Sequence, residues 1–336
     1  MSILCFGEML LRLTPIDGEL LMQSPGLTVR PGGAEANVAV SLARYGAPAS
    51  IATVLPDNGL GHAARDEVRK HGVDTRGIVF KPGRMGLYFL TPGAVRRPSE
   101  VLYDRAASAF VQHVDGALDW AKLLDGVEWL HLSGVTPATG PNGSAAALAA
   151  VAAATKAGVK VSFDGNFRGK LWAEWAGDPP RVLGQMLAGS SLAFADDRDF
   201  ALVLGVKFEH ADPAERRRVA ARAAFDQWPT LERICCTLRV NDSVDDQTLS
   251  AVMITRDGEH HAAPIALTGV VDRVGGGDAF ASGVLFGIYR GWSNDEALAF
   301  GLAAGGLKHS VPGDFNLFDE AQVRAAMAAE GFDIRR

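Results

Sequence analysis

Short runs of apolar residues alternate with stretches of helical periodicity along most of the chain. Such runs, bounded by polar and glycine-rich segments, predict strands that are buried on both faces. The predicted strands are residues 3–7, 50–54, 129–133, 160–164, 192–195 and 234–237. Helices are predicted near residues 34–45, 61–71, 143–157, 181–188 and 214–228, and three more close the chain, from 278, from 294 to 308 and from 319 to 329. Alternating strands and helices indicate an α/β fold with a mainly parallel sheet and right-handed crossovers.

Two regions interrupt this alternation, residues 9–31 and 84–107, which contain Thr, Leu, Tyr, Phe and Pro in short alternating pieces. They predict small strands that form a separate β-layer over the main sheet, called the lid below. In an open α/β sheet the site lies beyond the carboxyl ends of the strands. We therefore predict one domain over residues 1–336, with the lid covering a site on the main sheet.

Composition narrows the class of protein. The chain has 336 residues with 48% hydrophobic content, enough for a large core, and a net charge of −6 that argues against nucleic-acid binding. The first residues lack a signal-peptide pattern, and the alanine-rich stretch 144–154 is too short to span a membrane. Three cysteines, Cys5, Cys235 and Cys236, suggest neither a disulfide framework nor a zinc site. We expect a soluble, cytoplasmic protein without a membrane or nucleic-acid partner.

Three consecutive glycines, Gly275, Gly276 and Gly277, run directly into Asp278, and an apolar stretch with helical spacing follows. Glycines let backbone N–H groups approach an anion, and a helix start adds unpaired donors and a favourable dipole. The segment therefore predicts a phosphate site beside a base. The alternative is an ordinary helix start that Asp278 caps after a glycine turn.

A second glycine pair, Gly32 and Gly33, leads into another predicted helix, and Asn37 follows about one turn later. The amide of Asn37 offers both a donor and an acceptor to a ligand with hydroxyl groups. The alternative is a glycine turn with a tolerated asparagine. Neither glycine cluster matches the phosphate loop or the dinucleotide-binding fingerprint, but two glycine-opened helices in one chain favour a functional interpretation.

Residues 32–39, Gly-Gly-Ala-Glu-Ala-Asn-Val-Ala, and residues 272–280, Asp-x-x-Gly-x-Gly-Asp-Ala-Phe, resemble the two signatures of the ribokinase-like, pfkB-type carbohydrate kinases. Their order and separation fit as well, and the resemblance covers nearly the whole chain. It implies a three-layer ribokinase-like fold, with ATP and Mg²⁺ as cofactors. It also implies that Asp278 is the general base, which a helix N-terminus would keep ionised, that the backbone of Gly275, Gly276 and Gly277 is the anion hole, and that Gly33 and Asn37 bind the sugar.

Short matches within residues 7–12, 85–89, 103–109, 164–172 and 313–314 make the chain similar to the 2-keto-3-deoxygluconate kinases in particular. This resemblance implies a sugar-acid site formed by Tyr88, Tyr103, Arg105, Arg168 and Asp314. Arginine suits such a substrate because its planar guanidinium matches a carboxylate. The alternative is that the arginines are solvated or structural, and that Tyr103 is a packed strand aromatic.

The nucleotide side departs from the family pattern. Arg273 replaces a threonine of many relatives and has no assigned role, and segment 237–246 lacks the usual glycine turn. We expect ATP to be bound by Asn166, Thr237, Arg239, Gly275 and Gly277. Asp196 and Asp199 are the candidates for contacting Mg²⁺ through water.

The predicted function is ATP-dependent phosphorylation of 2-keto-3-deoxygluconate to its 6-phosphate, with the lid excluding water from the sugar. By analogy with relatives, the lid is also expected to join two copies into a homo-oligomer. The alternatives are a kinase of a neutral sugar, such as a fructokinase or ribokinase, a kinase of an epimeric sugar acid, and a sugar-binding regulator without activity.

Overall fold

The computed structural model describes residues 2–94, 97–241, 243 and 246–328. The strands in this part of the chain are β1 (Ser2–Phe6), β2 (Leu10–Pro15), β3 (Leu27–Gly32), β4 (Ala49–Pro56), β5 (Asp74–Lys81), β6 (Gly86–Thr91), β7 (Glu100–Asp104), β8 (Val127–Ser133), β9 (Lys160–Asp164), β10 (Leu192–Phe194), β11 (Arg233–Asn241), β12 (Gln247–Thr255) and β13 (Glu259–Leu267). The helices are α1 (Ala34–Arg44), α2 (Gly59–Lys70), α3 (Ala109–His113), α4 (Trp120–Leu123), α5 (Val135–Ala138), α6 (Pro141–Ala157), α7 (Gly169–Glu174), α8 (Pro179–Ala188), α9 (Asp197–Leu204), α10 (Pro213–Gln227), α11 (Gly276–Tyr289), α12 (Asn294–Lys308) and α13 (Glu320–Met327).

Nine strands form the main sheet, in the order β13-β12-β11-β10-β9-β8-β1-β4-β5. Pairing is parallel from β5 to β11 and antiparallel across β11, β12 and β13. The predicted, mainly parallel sheet is confirmed, and its six predicted strands are β1, β4, β8, β9, β10 and β11. The periodicity did not identify β5, β12 and β13, because strands near the edges of the sheet carry polar, half-exposed positions instead of a continuous apolar run.

Alternation along the strands divides the core into two layers. In β1, Ile3 and Cys5 pack with α1, α11 and α12 on one face, whereas Leu4 and Phe6 pack with α6 and α8 on the other. Successive side chains of a strand point to opposite faces, and full burial of each large apolar side chain contributes about 1.5–3 kcal/mol. The two layers give the three-layer α/β/α architecture.

The long predicted helices are all present within two residues of their expected bounds, and α12 matches its predicted bounds. The last one follows a capping box in which Asp319 and Gln322 bond each other's backbone N–H, and its predicted end, Ala329, lies outside the described residues. Helices α3, α4, α5, α7 and α9, which have four to eight residues, were not predicted, because elements this short show helical periodicity only weakly.

The lid is a four-stranded sheet in the order β3-β2-β6-β7, built from the two predicted segments. Its outer pairs are antiparallel, and the central pair, β2 with β6, is parallel. Leu10, Tyr88 and Leu90 form an apolar cluster of their own under this sheet. Val95 and Arg96, inside the second predicted segment, lie outside the described residues.

Throughout the ranges that the structure describes, no helix is long and apolar enough to cross a membrane. The alanine-rich stretch belongs to the 17-residue helix α6, which packs against β8 and β9. All three cysteines are free thiols, with Cys5 and Cys235 buried.

Candidate active site

An open cleft of about 400 Å³ lies between the lid and the carboxyl ends of the main-sheet strands. The lid contributes residues such as Leu10 and Val101, and the main sheet contributes residues that follow its strands. The predicted site residues that line this cleft are Gly33, Asn37, Tyr88, Tyr103, Arg105, Asn166, Arg168, Gly275, Gly277, Asp278 and Asp314. Gly276, Thr237, Arg239, Asp196 and Asp199 do not line it. The fold therefore brings residues from both glycine clusters and from the lid to one site.

Helix α11 starts at the floor of the cleft with glycine instead of a capping side chain. Gly275 is the N-cap, with a left-handed φ of +82° and no side-chain cap bond. A Cβ there would lie 2.0 Å from the carbonyl oxygen of Asp314, so only glycine fits. The first helical bond runs from Ala279 N–H to Gly275 O, which leaves the N–H groups of Gly277 and Asp278 without an intrahelical partner.

Asp278 is not the cap of this helix. Its Oδ2 accepts a hydrogen bond of 2.6 Å from Asn37 Nδ2, which joins the starts of α1 and α11. Burial raises the pKa of Asp278 to about 7; the Asn37 bond opposes this rise, and the charges of Asp314 and Glu35 add to it. The expectation that the helix start keeps this carboxylate ionised therefore holds only above about pH 7, because burial disfavours the charged form.

Within the part of the chain that the structure describes, the side-chain oxygen of Asn37 is unpaired, in contrast to the side-chain nitrogen that contacts Asp278. Asn37 is buried, and its Oδ1 has no hydrogen-bond partner among the described residues. Its backbone N–H donates to Gly33 O at 2.8 Å, and a Cβ on Gly33, whose φ is +136°, would lie 2.4 Å from the carbonyl oxygen of Glu8. The glycine thus lets the start of α1 pack against the end of β1 and directs a polar amide into the cleft.

Arg105 lies in the cleft wall as half of a buried ion pair. Its Nε donates to Glu8 Oε2 at 2.8 Å, and its Nη2 contacts the same oxygen. Ser108 donates its hydroxyl to the other oxygen of Glu8. Glu8 follows β1 of the main sheet and Arg105 follows β7 of the lid, so this pair fastens the lid to the main sheet and neutralises the arginine.

Asp314 makes a second connection to the lid. Tyr88 O–H donates to Asp314 Oδ2 at 2.6 Å, and Arg12 Nη1 lies 3.1 Å from Asp314 Oδ1 and 2.7 Å from Asp272 Oδ2. Burial raises the pKa of Asp314, although Arg12 opposes that rise. Sequence reasoning did not single out Arg12, and the available signal was an arginine inside the apolar run Leu-Leu-Arg-Leu of β2.

The end of β9 supplies three polar residues to the cleft. Asp164 Oδ1 accepts from Asn166 N–H at 3.1 Å, and Asn166 has a left-handed φ of +34°. Arg168 is exposed, and its Nη1 donates to the carbonyl oxygen of Phe167 at 3.1 Å. Burial and the nearby charges of Asp278 and other carboxylates raise the pKa of Asp164 to about 8. Sequence reasoning assigned no role to Asp164. The available signal was its position at the carboxyl end of a parallel strand.

Beside the glycine turn lies a group of basic side chains. Arg239 in β11 donates to Gln247 Oε1 at 2.8 Å and lies 3.3 Å from His309 Nε2. Burial lowers the pKa of His309 to about 4, so this histidine is neutral. Burial and the charge of Arg273 lower the pKa of Arg239. Arg273 itself lines the cleft.

Two other predicted nucleotide-side residues, Gly276 and Thr237, lie behind the residues that line the cleft. Gly276 packs against the ring of His309, and Thr237 pairs with Ala251 between β11 and β12. The remainder of segment 237–246 continues this strand pair up to Asn241, and its residues Asp242, Val244 and Asp245 lie outside the described residues.

Asp196 and Asp199 form the capping box of α9. Asp196 Oδ1 accepts from Arg198 N–H at 2.8 Å, and Asp199 Oδ2 accepts from Asp196 N–H at 2.9 Å. Arg198 also pairs with Asp196, whose pKa is lowered, whereas burial raises the pKa of Asp199 to about 6. Among the described residues, no three His, Cys, Asp or Glu side chains cluster closely enough to hold a metal ion by themselves.

The main sheet, the lid and a cleft ending in a glycine-opened helix together define a ribokinase-like carbohydrate kinase. The model of the pfkB family of carbohydrate kinases matches residues 1–320, and the chain belongs to this family of ATP-dependent kinases. A 2-dehydro-3-deoxygalactonokinase of Haloferax volcanii is 29% identical over 97% of this chain and 96% of its own length.

Two further relatives cover most of the chain. The crystal structure of a 2-dehydro-3-deoxygluconokinase from Thermotoga maritima is similar with a TM-score of 0.92 and 35% identity, covering 98% of this chain and all of that one (100%). Fructokinase-1 of Oryza sativa subsp. japonica is 29% identical over 93% of this chain and 92% of its own length. The family is thus common to all three, whereas their named substrates differ.

Proposed function

We propose that this kinase phosphorylates a 2-keto-3-deoxy sugar acid, 2-keto-3-deoxygluconate first of all, at its 6-hydroxyl. The observation that carries the proposal is the pair of Asn37 and Asp278 at the glycine-opened start of α11. Asn37 donates to the carboxylate with its amide N–H, and its unpartnered Oδ1 suits a sugar hydroxyl. One amide would therefore orient the base and the attacking group together.

In the proposed reaction, the carboxylate of Asp278 accepts the proton of the sugar hydroxyl. The hydroxyl oxygen then bonds to the γ-phosphorus while the bond from that phosphorus to the ADP oxygen breaks. A base with a pKa of about 7 suits this step, because efficient proton transfer needs a pKa close to the operating pH. The N–H groups of Gly277 and Asp278 would stabilise the charge on the transferring phosphoryl group.

The nucleotide side fits a polyphosphate. Arg239 has two neutral partners, Gln247 and His309, so they leave its positive charge uncompensated. Arg273 adds a second guanidinium close enough to lower the pKa of Arg239. Phosphate oxygens of ATP would relieve the repulsion between these two arginines, since guanidinium groups pair with phosphate bidentately.

The acidic residues nearby fit a hydrated Mg²⁺. Asp164 and Asp199 have raised pKa values, about 8 and about 6, because burial and neighbouring negative charges disfavour their ionised forms. Mg²⁺ keeps several waters and binds through one or two carboxylates plus substrate phosphates, and when bound it neutralises phosphate charge. We propose that Asp164 and Asp199 contact these waters, whereas Asp196 serves the helix cap and its ion pair with Arg198.

Arg168 supports the sugar-acid part of the proposal. It is exposed in the cleft on the same wall as Asp164, and a guanidinium matches the substrate carboxylate. Relatives named for 2-dehydro-3-deoxy sugar acids agree with this assignment, although they include both epimers. The second candidate is a neutral sugar, because Glu8 already neutralises Arg105 and one relative is named a fructokinase.

An ADP-release screen over 2-keto-3-deoxygluconate, its galactonate epimer, gluconate, fructose, ribose and adenosine tests the substrate class. Turnover with one of the two 2-keto-3-deoxy acids supports the proposal, and turnover with fructose or ribose alone replaces it with the neutral-sugar candidate. Arg168→Ala should raise the KM for the acid about tenfold or more with little change in the KM for ATP. Arg181→Ala, at an exposed site on α8, is the matched control.

The role of Asp278 has a separate test. Asp278→Asn should keep substrate binding and lower kcat by about 10²-fold or more, the usual contribution of a general base. Asp257→Asn in an exposed turn controls for the loss of a carboxylate. Near-normal turnover of the Asp278 variant would remove it from the proposed role.

A further inference from the structure

Lys308, the last residue of α12, is a fully buried lysine with 0% of its surface exposed. Lysines are almost never buried to this extent without a partner, since a charge taken out of water is costly. Its side chain lies directly behind the glycine turn of the active site: Lys308 Cε is 3.3 Å from the place a Cβ on Gly275 would occupy. Nothing in the proposed reaction uses this residue.

The ammonium group is held by backbone oxygens from two segments. Nζ donates to the carbonyl oxygens of Asp272, at 3.4 Å, and Val311, at 3.2 Å. Asp272 lies just before the glycine turn, and Val311 lies in the loop that leads to Asp314. Lys308 therefore connects the two segments that enclose Gly275.

Nearby carboxylates and the end of a helix offset part of the cost of burying this charge. Burial lowers the pKa of Lys308, and the charges of Asp272, Asp314 and Asp278 oppose that fall, while Arg12 adds to it. Lys308 also lies at the C-terminal end of α12, where the helix dipole favours a cation. The result is a positive charge enclosed between the glycine turn and the end of a helix.

We propose that Lys308 is a built-in cation of the active site, a positioning residue that fixes the Asp272–Gly277 turn and adds positive charge behind the transferring phosphoryl group. The inference rests on the proposed role of the glycine turn as the anion hole, in which the N–H groups of Gly277 and Asp278 stabilise the phosphoryl group. It predicts that the kinase needs no dissociable monovalent cation here, because the covalently attached ammonium already occupies the space between these carbonyl oxygens.

A purely structural role explains this placement less well. α11 and α12 pack through apolar side chains, and an apolar residue of similar length would fill the same volume without the cost of burying a charge. The cation lies instead where the proposed reaction brings the negative charge of a phosphoryl group. A preorganised charge in a water-poor site acts strongly on such a group.

The test uses Lys308→Met and Lys308→Ala, with Lys156→Met at the exposed end of α6 as the matched control. We expect kcat to fall about 10- to 100-fold in both Lys308 variants, while the KM values for sugar and ATP change by less than about threefold. Ammonium or potassium chloride should restore part of the kcat of Lys308→Ala, because the vacated space is lined by carbonyl oxygens. Tetramethylammonium chloride, too large for this space, should not.

Unchanged kcat in a folded Lys308 variant, or a loss of kcat that small cations do not restore, would overturn the proposal. If neither variant folds, the unmodified enzyme still decides: full activity with tetramethylammonium as the sole monovalent cation supports the proposal, and a requirement for added potassium refutes it. Asp278→Asn separates the two levels of inference. If that variant stays active the proposed reaction fails, whereas normal Lys308 variants beside an inactive Asp278 variant refute only the built-in cation.

Discussion

Replacement of Asn37 by alanine should shift the acid limb of the pH–rate profile to higher pH. Asn37 Nδ2 donates to Asp278 Oδ2 at 2.6 Å, and a hydrogen bond to the ionised form of a carboxyl favours that form. The bond therefore holds the pKa of Asp278 below the value that burial alone would produce. Without it the pKa rises, and the base is protonated over a wider range of pH.

The size of this shift follows from the hydrogen bond. A bond to a charged group contributes about 1.5–3 kcal/mol, and one pKa unit corresponds to about 1.36 kcal/mol. Taking the lower figure for a cleft residue, the pKa of Asp278 rises by about one unit, from about 7 to about 8. At about pH 6.5 the ionised fraction then falls from roughly a quarter to roughly a thirtieth, an approximately eightfold loss.

Measurement of kcat/KM for the sugar by ADP release, from about pH 5.5 to 9.5, separates the two roles of Asn37. At high pH, Asp278 is ionised in both the wild type and the variant. The difference in kcat/KM that remains there reports the loss of the proposed contact between Asn37 and the sugar. The ratio of wild-type to variant activity should then grow about eightfold towards pH 6.5. Asn142→Ala, at the start of α6, is the control. A ratio that stays constant across the whole range would refute the reasoning.

Three other perturbations have defined outcomes. Arg105→Met leaves Glu8 buried without its partner and should lower the free energy of unfolding by about 3–5 kcal/mol in thermal or urea denaturation, and adding Glu8→Gln should restore part of it. Gly275→Ala should abolish activity and destabilise the fold, whereas Gly205→Ala, at φ +66° in open space, should cost only about 1 kcal/mol and leave turnover intact. Asp278→Asn should lower the pKa of Asp164 in an NMR titration, because it removes a negative neighbour of that carboxyl, and an unchanged pKa would contradict the assigned repulsion.

The alternation of strands and helices was predictable because the spacing of apolar residues within each segment indicates the type of element. Strand β9 and helix α12 match their predicted bounds, and the two lid segments were recognised by their loss of helical spacing. The glycine-opened helices were equally local, since three glycines before an apolar run specify both a turn and a helix start. In contrast, the sequence pattern left open whether Asp278 caps that helix, and the structure shows that Gly275 does.

By itself, the sequence determined the order of the elements, the lid and the family of the protein, because periodicity and contiguous motifs are properties of neighbouring residues. The partners of the charged residues were decided only by the tertiary structure. Asn37 reaches Asp278 across 241 positions, Arg105 reaches Glu8 across 97, and Lys308 is enclosed by loops from two segments. Charge compensation and burial depend on which distant segments the fold brings together, so the neutralised Arg105, the raised pKa of Asp278 and the buried ammonium had no local signal.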